Sequence, residues 1–310
     1  MDVTTKESIA SSETPTQSPV LTSAPKSLFQ RFRSAYYAAA AGVLFAMAPN
    51  ARADEPVQPP SAAAAVKTEG SLVIAGGGVL PKEIHERFVE LAGGKEARLV
   101  IIPTAHPKAG EDDNWSYWKG PKDVVSVDFL HTRDGAIAND PAFVQPLKKA
   151  TGAWFAGGWQ SNLEIYKGTP LETELKELYF KRGGVVGGTS AGASMLSEDA
   201  IIDGDPDVIL RKGFGLFPDA IVDQHFLRRQ REQRLFNVVS SRPKRFGMGV
   251  DERTAAVVRG RIIEVLGEEG VHICLPTHRT PAEMRPFKAG QKIDLDEILR
   301  DMETTGVGVR

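Results

Sequence analysis

The segment Gly188-Thr189-Ser190-Ala191-Gly192 reads G-x-S-x-G, the pattern of a serine held on a sharp strand-to-helix turn with its hydroxyl exposed for attack. A serine nucleophile needs a base, and the base needs a group to orient it. Of the six histidines, His225 stands apart, because it closes Ile221-Val222-Asp223-Gln224, where a short apolar strand ends and a helix begins. His85 falls within a helix, and His106, His131, His272 and His278 sit in polar loop contexts. Between Ser190 and His225 a single loop offers Asp203, Asp205 and Asp207 as the orienting acid, and spacing does not separate them. Ala191, just after the serine at a helix N-terminus, and Gly158 of Gly157-Gly158 offer backbone N–H groups for an oxyanion. The competing reading of the pentad is a glycine-rich turn capped by a serine, which needs no chemistry.

These residues require elements that bring them to one edge. Leu72-Val73-Ile74-Ala75, Arg98 to Pro103, Val124 to Leu130, Ala153 to Ala156 and Gly183 to Gly188 are apolar runs that read as strands. Glu83 to Leu91, Pro141 to Ala150 and Leu171 to Arg182 carry helical periodicity between them. Strands without polar alternation, separated by helices, predict an α/β fold with a mostly parallel sheet covered on both faces. Ligands of such sheets bind beyond the carboxyl ends of the strands, where Gly157-Gly158 and Ser190 fall side by side. Later runs, Phe246 to Val250, Ala255 to Val258 and Ile262 to Leu266, with Gly260-Arg261 as a hairpin turn, predict antiparallel strands toward the C-terminus, and Leu295 to Met302 a last short helix. Gly76-Gly77-Gly78 is no dinucleotide fingerprint, since G-x-G-x-x-G and its later acidic residue are absent.

The 310 residues are 41% hydrophobic and 25% charged, with a net charge of −2, so no bulk electrostatic case exists for nucleic acid or an anionic membrane as partner. A single cysteine, Cys274, excludes an internal disulfide and a multi-cysteine metal site. The expected organisation is a signal peptide with a polar N-terminal extension at 1–53, a flexible lead-in at 54–69 and one domain at 70–310. The signal reading rests on Lys26, Arg31 and Arg33, the apolar run Ala38 to Ala48, and Ala51-Arg52-Ala53 as a cleavage pattern before Asp54. The run is short for a bilayer span, so the expectation is an exported protein, periplasmic or extracellular, with no stable membrane insertion after cleavage, and an uncleaved anchor is the alternative.

Gly188 to Ala193, then Asp223-Gln224-His225-Phe226, then Gly249-Val250-Asp251-Glu252-Arg253-Thr254-Ala255 resemble the successive motifs of the cyanophycinase family, the S51 serine peptidases, which also include aspartyl dipeptidase. The resemblance implies a flavodoxin-like three-layer α/β sandwich akin to class I glutamine amidotransferases, with neither metal nor organic cofactor. It implies Ser190 as nucleophile, His225 as general base and Asp207 as the third member, with Asp205 as the alternative. It further implies a peptide-like substrate rich in aspartate and arginine, cleaved to β-Asp-Arg dipeptides, and is compatible with a homodimer. Gln160, Asp223, Gln224, Arg229, Arg231 and Arg234 match its substrate-binding positions; Asp223 suits a substrate guanidinium, and the arginines suit carboxylates. On one continuous helix Arg231 and Arg234 share a face and Arg229 points away, so all three serve only if Arg229 precedes the helix or the pocket wraps its end. One departure stands out: Gly157-Gly158-Trp159-Gln160 replaces Gly-Gly-Asp-Gln, which reshapes the groove. The nearest rivals are an isoaspartyl or α-aspartyl dipeptidase and a non-catalytic binding domain on the same fold. The aromatic loop Glu111 to Trp118 is a further candidate for the pocket wall.

Overall fold

The structure is a computed structural model that describes residues 70–111, 118, 123–276 and 283–304. The signal and lead-in segments, His278 and most of the Glu111 to Trp118 loop lie outside the described residues.

Five parallel strands form the centre: β1 (Ser71–Ala75), β2 (Arg98–Ile102), β3 (Ser126–Phe129), β4 (Gly152–Phe155) and β5 (Val185–Thr189). They are followed by β6 (Asp199–Asp203), β7 (Ile209–Lys212), β8 (Ala220–Gln224), β9 (Phe246–Val250), β10 (Thr254–Arg259), β11 (Ile262–Gly267), β12 (Gly270–Leu275), β13 (Glu283–Lys288) and β14 (Lys292–Asp294). The main sheet runs β14-β11-β10-β1-β5-β4-β2-β3, with the expected antiparallel hairpin β10–β11 on one flank.

The continuous apolar run of β1 has a simple origin. Leu72 and Ile74 join one core with Leu171, Leu175 and Leu178, while Val73 and Ala75 join another with Ile84 and Phe88. Successive side chains point to opposite faces, so a strand buried on both sides must be apolar at every position. Each large apolar side chain so buried contributes about 1.5–3 kcal/mol. The helix Lys82–Leu91 covers one face. The helix Pro170–Lys176, continued by a wider turn over Glu177–Lys181, covers the other, giving three layers. Trp118 packs with Phe88 and Trp154 in the core that holds Val73 and Ala75, so this end of the aromatic loop is packing.

Two expectations change. Helix forms only over Gln145–Lys149 rather than Pro141 to Ala150, because Pro146 lacks an N–H and is tolerated only in the first turn. The strand leading to His225 does not extend the main sheet. It belongs to a second sheet, β13-β12-β9-β8, in which β8 runs parallel to β9. Phe246, Met248 and Val250 face the main core, whereas Gly247 and Gly249 leave room for Leu235, Val239 and the Phe226 ring. The helix Glu232–Ser240 covers that outer face through Leu235, Val238 and Val239. β6 and β7 pair as a separate hairpin.

Candidate active site

Ser190 sits between β5 and the short helix Ala191–Ser194 at φ 52°, ψ −115°. A non-glycine residue at positive φ is strained, and it persists only where its surroundings hold it. Here the Ser190 N–H donates to Ala75 O at 3.0 Å, tying the elbow to the end of β1. The hydroxyl lies 2.8 Å from His225 Nε2 and 3.3 Å from Gln224 Oε1. His225 is also held at positive φ, 51°, with its N–H donating to Gly76 O at 2.8 Å. Its ring lies against Gly77, where a Cβ would come within 2.5 Å of Nε2. The glycine run after β1 therefore gives the imidazole its seat.

The other ring nitrogen, Nδ1, is 2.6 Å from Glu252 Oε1. This corrects the expectation for Asp207. Both ring nitrogens of His225 are already engaged, and Asp205 and Asp207 are exposed residues of the bend joining β6 to β7. That bend reaches the site at the arginines instead, where Gly204 O accepts from Arg234 Nη1 at 2.7 Å. Glu252 arrives because β8 and β9 are parallel and pair Gln224 with Val250, so the residues following both strands emerge at one edge. The chain order is serine, histidine, acid. Glu252 lay within the third motif but had no role there; the available signal was an acid just past an apolar strand, the same signature as His225.

A carboxylate on Nδ1 favours the tautomer with hydrogen on Nδ1, leaving the Nε2 lone pair to face the serine hydroxyl. Burial pushes the His225 pKa below its ordinary value, and the positive charges of Arg229 and Arg231 push the same way against the opposing pull of Glu252. The imidazole is thus neutral near pH 7 and able to accept a proton. Behind it, buried Asp251 accepts from Leu227 N at 3.0 Å and pairs with His272 Nε2 at 2.8 Å, fixing the chain on either side of the His225–Glu252 contact.

Gly157 lies against Ser190, where a Cβ would come 3.2 Å from the serine Cβ. Gly158 follows at φ 144°, a conformation open to glycine, with Ala105 O packed so closely that a side chain has no room. Ala191 is the first residue of the helix after Ser190, where backbone N–H groups lack intrahelical partners. Ala191 thus follows the serine directly, and Gly158 lines the same cavity as Ser190.

Asp223, expected to face a substrate guanidinium, is fully buried and committed within the protein. It accepts from Arg234 Nε at 2.9 Å, Arg234 Nη2 at 2.7 Å, Arg231 Nη1 at 3.2 Å and Gln224 N at 2.9 Å. Its role is to hold two arginines. Arg229 ends a turn, Leu227–Arg229, ahead of the helix Glu232–Ser240, so all three arginines line one cavity of about 380 Å³ with Ser190 and Gln160. Arg231 Nε is buried without a hydrogen-bond partner among the described residues. Three arginines against one buried carboxylate leave that wall positive and fit for anionic groups. A larger cavity, about 490 Å³ around Arg87 and Arg259, lies beside the start of β1, away from Ser190.

The model of peptidase family S51 matches residues 72–266. A cyanophycinase of Geminocystis herdmanii is 34% identical over 219 residues, covering 66% of this chain and 79% of that protein. A cyanophycinase of Synechococcus elongatus is 35% identical over 222 residues, covering 66% and 68%. The crystal structure of a peptidase from an acI-B1 Actinobacterium matches with a TM-score of 0.57 at 26% identity, covering 74% of this chain and 98% of that one.

Proposed function

Because the chain belongs to peptidase family S51 and is a serine-type peptidase of the cyanophycinase type, we propose that it is an exported exopeptidase that cuts the poly-aspartate backbone of cyanophycin into β-Asp-Arg dipeptides through Ser190, His225 and Glu252. The observation that carries this reading is the chain of contacts from Ser190 through His225 to Glu252, opening on an arginine-lined cavity. Ser190 Oγ attacks the scissile carbonyl as His225 Nε2 takes its proton, and Glu252 stabilises the imidazolium that results. The N–H groups of Gly158 and Ala191 receive the oxyanion. His225 then returns the proton to the leaving amine, and water, activated by the same imidazole, releases the acyl group from Ser190.

Arg229, Arg231 and Arg234 bind carboxylates of the substrate, and the unpartnered Arg231 Nε–H is a donor kept for that purpose. Export is supported by the basic residues, apolar run and Ala51-Arg52-Ala53 pattern of residues 1–53. N-terminal sequencing of the protein recovered outside the cytoplasm tests it, with Asp54 expected as the first residue.

The substrate is tested by incubating the protein from Asp54 onward with purified cyanophycin and measuring β-Asp-Arg by mass spectrometry. Release of the dipeptide is expected. Absence of release, with cleavage of isoaspartyl dipeptides, assigns the protein to dipeptidase activity instead.

A further inference from the structure

Trp159 is 61% exposed, whereas Trp154 and Trp118 are buried in the core. An indole left in water forfeits a large apolar burial, so an exposed one on a rigid backbone needs a reason. The backbone here is rigid. Trp159 N donates to Ala105 O at 2.9 Å, Asn162 N donates to Trp159 O at 3.1 Å, and Asn162 Nδ2 ties back to Ala105 O at 3.2 Å. The preceding Gly158 packs so closely on Ala105 that a Cβ there would clash with the Ala105 carbonyl. The indole lines the same cavity as Ser190 and the arginines and makes no ring or cation contact among the described residues.

Asp203 lines that cavity as well. Its carboxylate accepts the N–H of neighbouring Gly204 at 2.8 Å and forms no ion pair among the described residues. A free aromatic face and an uncommitted carboxylate share the preference for a cation, and a planar guanidinium satisfies both by stacking on the ring and donating to the carboxylate. The three arginines exclude a second cation from their own wall, so the two kinds of lining sort the two ends of a zwitterionic ligand.

We propose that Trp159 is a specificity-determining residue whose indole stacks on the guanidinium of the substrate one residue from the oxyanion donor Gly158. The inference rests on the peptidase reading for its substrate but not for its binding geometry. Trp159 sets which side chain is accepted beside the scissile bond, while the arginines set that the substrate is acidic.

The test uses Ser190→Ala protein, which binds without turnover, titrated calorimetrically with β-Asp-Arg and with β-Asp-citrulline, the same shape without the charge. Tighter binding of β-Asp-Arg is expected. Adding Trp159→Ala should weaken β-Asp-Arg on the order of five- to thirtyfold, with little change for citrulline, and Trp159→Phe should keep part of the difference. Because Trp159 is exposed, its replacement leaves the core intact. Equal weakening of both ligands, unchanged affinities, or no binding of β-Asp-Arg overturns the proposal. Failure of the peptidase reading looks different: protein with Ser190 intact hydrolyses neither cyanophycin nor dipeptides while the Trp159-dependent binding persists.

Discussion

His225 Nδ1 and Glu252 Oε1 lie 2.6 Å apart although they belong to different strand ends, one residue beyond Gln224 and two beyond Val250, which are paired across parallel β8 and β9. The sheet itself sets this contact. Parallel pairing delivers both carboxyl ends to the same edge, and the glycine run after β1 closes over the imidazole from the side.

Glu252→Gln keeps the size of the side chain and removes the charge that orients and stabilises the imidazole. Its kcat should fall on the order of 10³- to 10⁴-fold, while Asp207→Asn should stay within about twofold of the parent. Steady-state hydrolysis of cyanophycin by both variants decides between the two acids, and a large loss at Asp207 instead would reverse the assignment.

The proposed mechanism requires neutral His225, whose pKa lies below the ordinary value of about 6.5 chiefly because it is buried. kcat/KM should therefore hold down to pH values below 6.5 and fall only as pH drops through the depressed pKa. Arg229→Gln removes one of the positive charges that depress it, so the acid limb should move up toward 6.5. The same shift has a stability consequence. The unfolded chain binds the proton first, so the contribution is fully present above about 6.5 and is lost as pH falls through the folded pKa. pH–rate profiles and pH-dependent melting check both signs.

Asp223→Asn should act on the fold before it acts on substrate. It leaves Arg231 and Arg234 buried without their shared carboxylate, a loss of about 3–5 kcal/mol. A melting temperature several degrees lower is expected by differential scanning calorimetry. An unchanged melting temperature with a raised KM would mean that Asp223 contacts substrate instead.

Gly77→Ala places a methyl group against the His225 ring at a backbone φ of 113°. The ring must turn away from Ser190, so kcat should drop on the order of 10²-fold, since misplacing a catalytic group by about 1 Å carries that cost. Gly290→Ala, also at positive φ but with open space around it, serves as the control for backbone strain alone. Comparable activity in the two variants would remove Gly77 from the account.

The amino-acid sequence alone determined what depends on near neighbours. The elbow at Ser190, the doubly buried strands, the β10–β11 hairpin and the placing of His225 at a strand end were all legible, because hydrophobic period and glycine punctuation are local signals. Tertiary structure decided the partners. Asp203, Asp205, Asp207 and Glu252 are alike as acids, and only the pairing of β8 with β9 in a second sheet selected Glu252. Asp223 looked available to substrate until folding brought Arg231 and Arg234 onto it. Whether Trp159 is core or cavity rim was likewise set by which surfaces the chain left uncovered. A side chain's type and spacing fix what it is able to do, whereas its protonation, its partner and its access to substrate depend on groups that only the fold brings within a few ångströms.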